Sequence, residues 1–401
     1  MEDWERSFIG IWVAEVLALA AFNTSIPILP FYLQALGVKD PSVLNLWVGV
    51  CQTAAGAMLA VFSPIWGKLS DVYGRRPMLL RAMFGGMAVI GLMGFATAPW
   101  QFAVLRGLQG MLTGTIAAAT VLVVTIVPEK RAGTMLGFLQ TAVYAGSALG
   151  PLLGGVISDL FGYRVTFFTT SVMLLASALI VMFFVKDDFR PAHITGSLLR
   201  QALPDFRPLG RSPELLGLLL ITGFMQVAVG IVAPILPLFI QSITPNAATV
   251  GSTTGIILSL TSVSAAVASA ALGRISDRFG HQRILMICLV GACLLYLPQA
   301  FVKTPVQLLV LRMLTAAFLG GTSPSVNALV AARTSKDQRG TVFGLSSSIN
   351  STGSALSPMF GSIVANFWGY SGVFLATTGG LLAVIVWAAT ALKGPRKGGA
   401  A

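Results

Sequence analysis

GSALGPLLGG, at residues 146–155, returns 207 residues later as GSALSPMFGS, at residues 353–362. Three further segments repeat in the same order at an offset of 206 or 207 residues: IPILPFYLQ (26–34) as APILPLFIQ (233–241), GKLSDVYGRR (67–76) as GRISDRFGHQ (273–282), and QFAVLRGL (101–108) as QLLVLRML (307–314). Chance similarity between apolar sequences does not produce four ordered matches that carry Asp, Arg, Pro and Gly. The chain is therefore predicted to contain two copies of one structural unit.

Composition decides the environment of these two units. Of the 401 residues, 55% are hydrophobic and only 10% are charged, and the mean hydropathy is +0.82. A soluble domain carries about 25% charged residues, so a soluble enzyme is excluded. A lipid-embedded backbone must satisfy its own hydrogen bonds, so long apolar segments are predicted to be membrane-spanning helices. Twelve such segments are predicted, at about 8–34, 44–66, 81–97, 101–127, 133–157, 165–185, 214–241, 250–272, 284–301, 306–332, 341–365 and 371–392.

The twelve segments form two groups of six, separated by a polar, Pro-rich stretch. This spacing predicts an N-terminal six-helix bundle at residues 1–188, a cytoplasmic linker at 189–212 and a C-terminal six-helix bundle at 213–401. With the N-terminus inside, 21 of the 26 Lys and Arg residues fall in inner loops or termini, and three fall in outer loops. Because positive charge stays on the cytoplasmic side, both termini are predicted to be cytoplasmic.

The net charge of +12 does not indicate a nucleic-acid partner. The positive charges lie in short clusters between apolar segments instead of on one basic face, which is the pattern of membrane topology.

Only three charged residues fall in the interior of the predicted spans, namely Glu15, Arg106 and Arg312. A charge at mid-bilayer costs about 2.5–3.5 kcal/mol on insertion scales, so each is a functional candidate. Glu15 is the only acid among them, and burial disfavours its ionised form, so its carboxyl is predicted to exchange protons. An alternative stays open, because Glu15 lies about two turns from the helix start and could extend to the inner membrane surface. Residues on or beside the same helix face are Phe22, Asn23 and Ile26.

Several of these segments resemble the major facilitator superfamily, and the resemblance covers essentially the full length. LNLWVG (44–49), SPIWGKLSDVYGRRPMLLR (63–81), WQFAVLRGLQG (100–110) and GSALGPLLGG are most similar to its twelve-span drug:proton antiporter branch, and to multidrug exporters of the MdtG type. The resemblance implies an all-α membrane protein with twelve helices in two pseudo-symmetric six-helix bundles around a central cavity. It also implies a monomer in the bacterial inner membrane, driven by the proton gradient without a cofactor.

The resemblance assigns roles to three motifs. Arg106 and Gln109 match the fourth-helix motif, which implies a part in proton coupling for Arg106. The loop between the second and third spans matches the superfamily's conformational latch, with Gly67, Asp71, Gly74, Arg75 and Arg76 in the first copy and Asp277 and Arg278 in the second. The fifth-helix signature of exporters is matched by Gly146, Gly150, Pro151, Gly154 and Gly155.

Substrate contacts are expected from Glu15 together with apolar or weakly polar residues of the cavity. Flexible and aromatic walls of this kind suit varied lipophilic ligands. The candidates are Phe22, Asn23, Ile26, Tyr32, Gln109, Gln140, Tyr144, Met225, Gln226, Asn327 and Asn350.

The expected function is proton-coupled export of small amphipathic compounds, with protons and membrane lipids as further partners. The sequence contains no P-loop and no pattern of a catalytic triad or metal cluster, so an enzyme is not expected. The alternatives are export or symport of one defined metabolite such as a sugar, a lipid flippase, and a signalling scaffold that transports nothing.

Overall fold

The computed structural model describes residues 2–187, 213–334 and 339–391, and these ranges contain helices and no strands. The predicted linker at 189–212 lies outside the described residues. The predicted bundle bounds at 1–188 and 213–401 therefore remain predictions.

Seven helices fill the first half of the chain. They are α1 (Asp3–Ala35), α2 (Pro41–Tyr73), α3 (Arg75–Met93), α4 (Pro99–Leu112), α5 (Thr115–Ile126), α6 (Ala132–Phe161) and α7 (Tyr163–Phe184). Together α4 and α5 occupy the predicted fourth span, which is interrupted at residues 113–114, so these seven helices make six crossings.

The second half repeats this arrangement. Its helices are α8 (Pro213–Gly230), α9 (Leu236–Ile243), α10 (Val250–Phe279), α11 (His281–Gln299), α12 (Pro305–Gly320), α13 (Thr322–Ala332) and α14 (Arg339–Ala391). Ten stretches of the described chain are long and apolar enough to cross a membrane. One of the ten lies in α14, which is broken at Gly369 and makes two crossings, and α8 is a shorter apolar helix that α9 continues. The structure thus confirms the twelve-helix fold.

Glycines with positive φ mark equivalent positions in the two repeats. Gly74 joins α2 to α3 with φ of 97°, and Gly280 joins α10 to α11 with φ of 92°. Gly162 joins α6 to α7 with φ of 85°, and Gly369 breaks α14 with φ of 69°. Side chains disfavour this backbone conformation, so glycine is required at each of these tight connections. The duplication seen in the sequence therefore extends to the backbone geometry.

The described residues divide into two compact units. The first contains residues 2–187 and 240–263, and the second contains 213–239, 264–334 and 339–391. In the first unit α1 packs against α2, α5, α6 and α7. The beginning of α10 belongs to this unit and contacts α6. In the second unit α8 packs against α14, and α11 packs against α12, α13 and α14.

Candidate functional site

Glu15 is enclosed by the protein in the first unit. Its side chain is 1% exposed, and its Oε2 accepts a hydrogen bond from Thr115 Oγ1 at 3.1 Å. Its Oε1 is buried and has no hydrogen-bond partner. The carboxyl therefore does not extend to the membrane surface in this conformation.

Thr115 reaches Glu15 because the fourth span is broken directly before it. α4 ends at Leu112, Gly114 adopts a left-handed conformation with φ of 118° and ψ of 45°, and α5 starts at Thr115. Thr115 is 3% exposed. Sequence reasoning predicted a continuous span at 101–127 and missed both the break and Thr115, although the Thr-Gly-Thr triplet at 113–115 was a possible signal.

Arg106 forms a second buried polar cluster at a distance from Glu15. It is 8% exposed, and its Nη1 donates to Gln109 Oε1 at 2.8 Å and to Ser25 Oγ at 3.4 Å. Its Nε is buried without a partner. Ser25 lies ten residues beyond Glu15, which is about 15 Å along α1. Arg106 and Glu15 therefore belong to separate clusters, and the sequence did not indicate Ser25.

The other candidates on α1 face different neighbours. The Phe22 ring lies against Gly86 of α3, whereas Asn23 donates its side-chain amide to the carbonyl of Leu19 in its own helix. Ile26 is half-buried. Their role in substrate binding stays a prediction.

Tyr32 lies in an aromatic core. Its hydroxyl donates to the carbonyl of Met93 at 2.8 Å, and its ring packs against those of Phe102 and Phe167. These contacts hold Tyr32 in the packed interior of the first unit, and its role in substrate binding stays a prediction.

The remaining cavity candidates lie on α6 and in the second unit. Gln140 and Asn327 are exposed, and Tyr144, Met225, Gln226 and Asn350 are half-buried. Gln226 donates to Ser354 Oγ at 2.7 Å, which links α8 to α14. The roles of these residues in substrate binding stay predictions.

The predicted latch motif lies where α2 turns into α3. Gly74 supplies the positive φ of this turn, and the space around Gly67 is open. The Arg76 guanidinium donates to the carbonyl of Met182, and its backbone N–H donates to Asp187 at 3.2 Å, so both groups tie the motif to the end of α7. Arg75 is half-buried, and Asp277 and Arg278 are exposed. The Asp71 side chain lies outside the described part of the chain, so the latch role stays a prediction.

The glycines of the fifth-helix signature allow α6 to approach two helices at backbone distance. A Cβ at Gly146 would lie 2.9 Å from the backbone nitrogen of Ala20, and a Cβ at Gly154 would overlap the carbonyl of Thr24. On another face of α6, Gly155 meets the backbone of Gly251 at the start of α10, and the Pro151 carbonyl meets Gly255. Small residues permit this packing.

Asp159 strengthens the contact between α6 and α10. Its carboxylate accepts hydrogen bonds from the backbone N–H groups of Gly251 at 3.1 Å and Ser252 at 2.6 Å. The first N–H groups of a helix lack intrahelical partners, so Asp159 caps α10 from another helix. Sequence reasoning missed Asp159, because it was placed in a loop and nothing in the sequence indicates a partner 92 residues away.

A match to a family profile shows which protein family the chain belongs to. The profile described as Major Facilitator Superfamily matches residues 11–251 and, in a second match, residues 218–400. The chain belongs to the major facilitator superfamily. Two matches follow from the two repeats, and the family predicted from the sequence motifs is confirmed.

Curated members of the major facilitator superfamily are similar over nearly the whole chain. Multidrug resistance protein MdtG of Klebsiella pneumoniae (strain 342) is 35% identical over 98% of this chain and 95% of its own length. MdtG of Escherichia coli (strain K12 / DH10B) is 36% identical over 96% of this chain and 94% of its own length. The predicted similarity to MdtG-type exporters is thereby confirmed.

Solved structures of the superfamily share the fold. The nucleoside transporter NupG has a TM-score of 0.77 at 13% identity and covers 97% of this chain and 99% of its own. The human organic anion transporter MFSD10 (TETRAN) has a TM-score of 0.71 at 17% identity and covers 97% of this chain and 100% of its own. The family match and the membrane spans show a multi-span membrane protein of this superfamily.

Proposed function

We propose that the protein is a proton-driven exporter of small amphipathic compounds that works as an antiporter by alternating access. The proposal places it in a bacterial inner membrane with both termini in the cytoplasm. Similarity to MdtG multidrug resistance proteins over nearly the full length supports export of several compounds. Bias of Lys and Arg toward one set of loops supports the orientation.

The observation that carries the proposal is the state of the Glu15 carboxyl. The carboxyl belongs to a membrane-spanning helix and is buried. Its Oε2 has the Thr115 hydroxyl as a partner, and its Oε1 has no hydrogen-bond partner. Among the described residues the one ion pair joins Lys186 to Asp3, so no cation neutralises Glu15 at contact distance. An unpaired buried carboxylate is costly, and binding a proton removes the charge.

We assign Arg106 a part in proton coupling without an ion pair to Glu15, because its guanidinium donates to Gln109 and Ser25. In the proposed cycle the proton and the substrate use Glu15 alternately, and each excludes the other.

Substrate-driven proton release from purified protein in liposomes tests the proposal. The panel contains cationic, neutral and anionic drugs, one labelled sugar and one fluorescent phospholipid. Glu15→Gln is expected to reduce proton-driven transport by about tenfold or more, because a neutral amide binds no proton. Glu129→Gln is the matched control, since it makes the same chemical change at an exposed residue outside the long helices.

Undiminished dependence on the proton gradient in Glu15→Gln would contradict proton coupling at this residue. Transport of the sugar alone would favour a dedicated metabolite carrier, and movement of the phospholipid alone would favour a flippase. If no compound of the panel is transported, the result would favour a signalling scaffold over a transporter.

A further inference from the structure

We propose that Thr115 is a positioning residue for proton exchange at Glu15, and that the left-handed turn at Gly114 places it there. This inference rests on the function proposed for Glu15. It goes further because it names the hydroxyl that holds the carboxyl in both of its protonation states. It also names the backbone turn that brings this hydroxyl to the carboxyl.

Glycine is required at position 114 by the backbone conformation of the turn, and not by a lack of room for a side chain. A Cβ at this position would meet only Leu59 Cδ1, at an ordinary contact distance of 3.7 Å. A φ of 118° is nevertheless unfavourable for a residue with a side chain. The turn ends α4 and restarts the chain as α5, so the first residue of α5 lies against Glu15 of α1.

The second repeat provides an internal comparison. LTGT (112–115) corresponds to LGGT (319–322) at the 207-residue offset, and α12 and α13 meet at this point. Gly321 has a helical φ of −78° there, and Thr322 Oγ1 donates to the carbonyl of Leu319 in the preceding turn at 2.6 Å. Thr222 occupies the position equivalent to Glu15, and its hydroxyl donates to the carbonyl of Leu219.

The two repeats therefore share the Gly-Thr break but differ in what it does. Within the described ranges, the left-handed turn and the threonine that donates to another helix occur in the repeat whose first helix carries the acid. In the other repeat Thr322 donates to the carbonyl of Leu319, three residues earlier in the chain. The geometry at Gly114 thus correlates with the presence of Glu15.

Charged groups on α4, α6 and α7, or beside their ends, have contacts other than Glu15. Arg131, at the start of α6, lies 5.5 Å from the Trp4 ring, and Lys186, after α7, pairs with Asp3. Arg164 of α7 donates to the carbonyl of Ala96. Arg106 of α4 is at Ser25, and Asp159 of α6 caps α10. At Glu15 itself the polar contact comes from Thr115.

A hydroxyl suits this position because it can both donate and accept. Thr115 donates to the carboxylate when Glu15 is ionised, and its oxygen can accept from the carboxylic acid when Glu15 is protonated. The carboxyl is then held in one place while the proton enters and leaves. A donor to the charged form also favours ionisation, so removing it makes Glu15 keep its proton to higher pH.

The test is the pH profile of substrate-driven proton release. Thr115→Val removes the hydroxyl with little change of shape and is expected to move the midpoint about one pH unit upward. Thr115→Ser keeps the hydroxyl and is expected to restore the midpoint. Thr322→Val is the matched control in the second repeat and is expected to leave the midpoint unchanged. Thr115→Ala removes the donor without adding a methyl group, should the valine variant fail to fold.

An unchanged midpoint in Thr115→Val or Thr115→Ala, with transport reduced only in amplitude, would overturn the positioning role. A midpoint that moves equally in Thr115→Ser would overturn it as well. Loss of coupling in Glu15→Gln combined with an unmoved midpoint in Thr115→Val would leave the proposed function intact and remove this inference alone. Coupling that survives Glu15→Gln would remove the proposed function first.

Discussion

Two acids of the first unit, Asp159 and Glu15, differ in the hydrogen bonds that their carboxyl groups accept. Asp159 is half-buried, and both of its oxygens accept from N–H groups at the start of α10. Glu15 is buried deeper and has one oxygen without a partner. Asp159 therefore holds two helices together, whereas Glu15 is the group to which we assign proton exchange.

Asp159→Ala is expected to destabilise the protein by about 1 kcal/mol, because the first N–H groups of α10 lose their acceptors. Asp159→Asn keeps one side-chain oxygen as an acceptor and is expected to lose less. Thermal unfolding of the purified protein measures both, with Glu129→Ala as the exposed control. If Asp159→Ala is as stable as the unmodified protein, the cap makes no measurable contribution to stability.

At the scale of elements, glycines let α6 approach two other helices at backbone distance. Gly146 and Gly154 face the backbone of α1, and Gly155 faces the backbone of α10. Helices in a membrane gain little from the hydrophobic effect on associating, so close backbone approach supplies much of the attraction. The repeated glycines are thus explained by packing, whatever their part in transport.

Gly154→Ala is expected to cost about 1–3 kcal/mol, because its Cβ would overlap the Thr24 carbonyl and force α1 and α6 apart. Gly137→Ala is the control on the same helix, since no atom lies within 4 Å of the added carbon. That substitution is expected to be neutral or slightly stabilising, because alanine favours a helix more than glycine does. Thermal unfolding of the two variants compares them, and equal stability would contradict the packing argument.

At the scale of the whole molecule, the duplication organises the chain. Gln34 and Gln241 occupy equivalent positions 207 residues apart, and their side-chain amides exchange two hydrogen bonds, at 3.1 and 3.2 Å. Both residues belong to the first unit, because residues 240–263 group with it. Two repeat-related residues therefore pair directly within the first unit.

The proposed orientation predicts which loops face the cytoplasm. Lys39 and Lys130 are both exposed, and they lie in connections predicted to be on opposite sides of the membrane. The native thiols at Cys51, Cys288 and Cys293 are buried, so introduced cysteines give the main signal. In intact cells an impermeant thiol reagent is expected to label Lys39→Cys at once and Lys130→Cys only after permeabilisation. The reverse pattern would invert the topology.

Much of the architecture was predictable because apolar length and charge bias act locally along the chain. Twelve spans follow from segment lengths, and the repeats follow from four ordered matches. Glu15 could be singled out for the same reason, since it is the only acid in the interior of a predicted span. The breaks at 113–114 and at Gly321 were missed, because hydropathy does not register a turn between two apolar helices.

The sequence by itself determined the membrane spans, their number, the duplication and the family, since each depends on residue types and their order. The tertiary structure alone decided the partners: Thr115 for Glu15, Ser25 for Arg106, and the start of α10 for Asp159. These partners are separated by 81 to 100 residues. The physical reason is that a hydrogen bond depends on distances of a few ångströms between atoms, and only the packing of the helices brings such distant residues within reach.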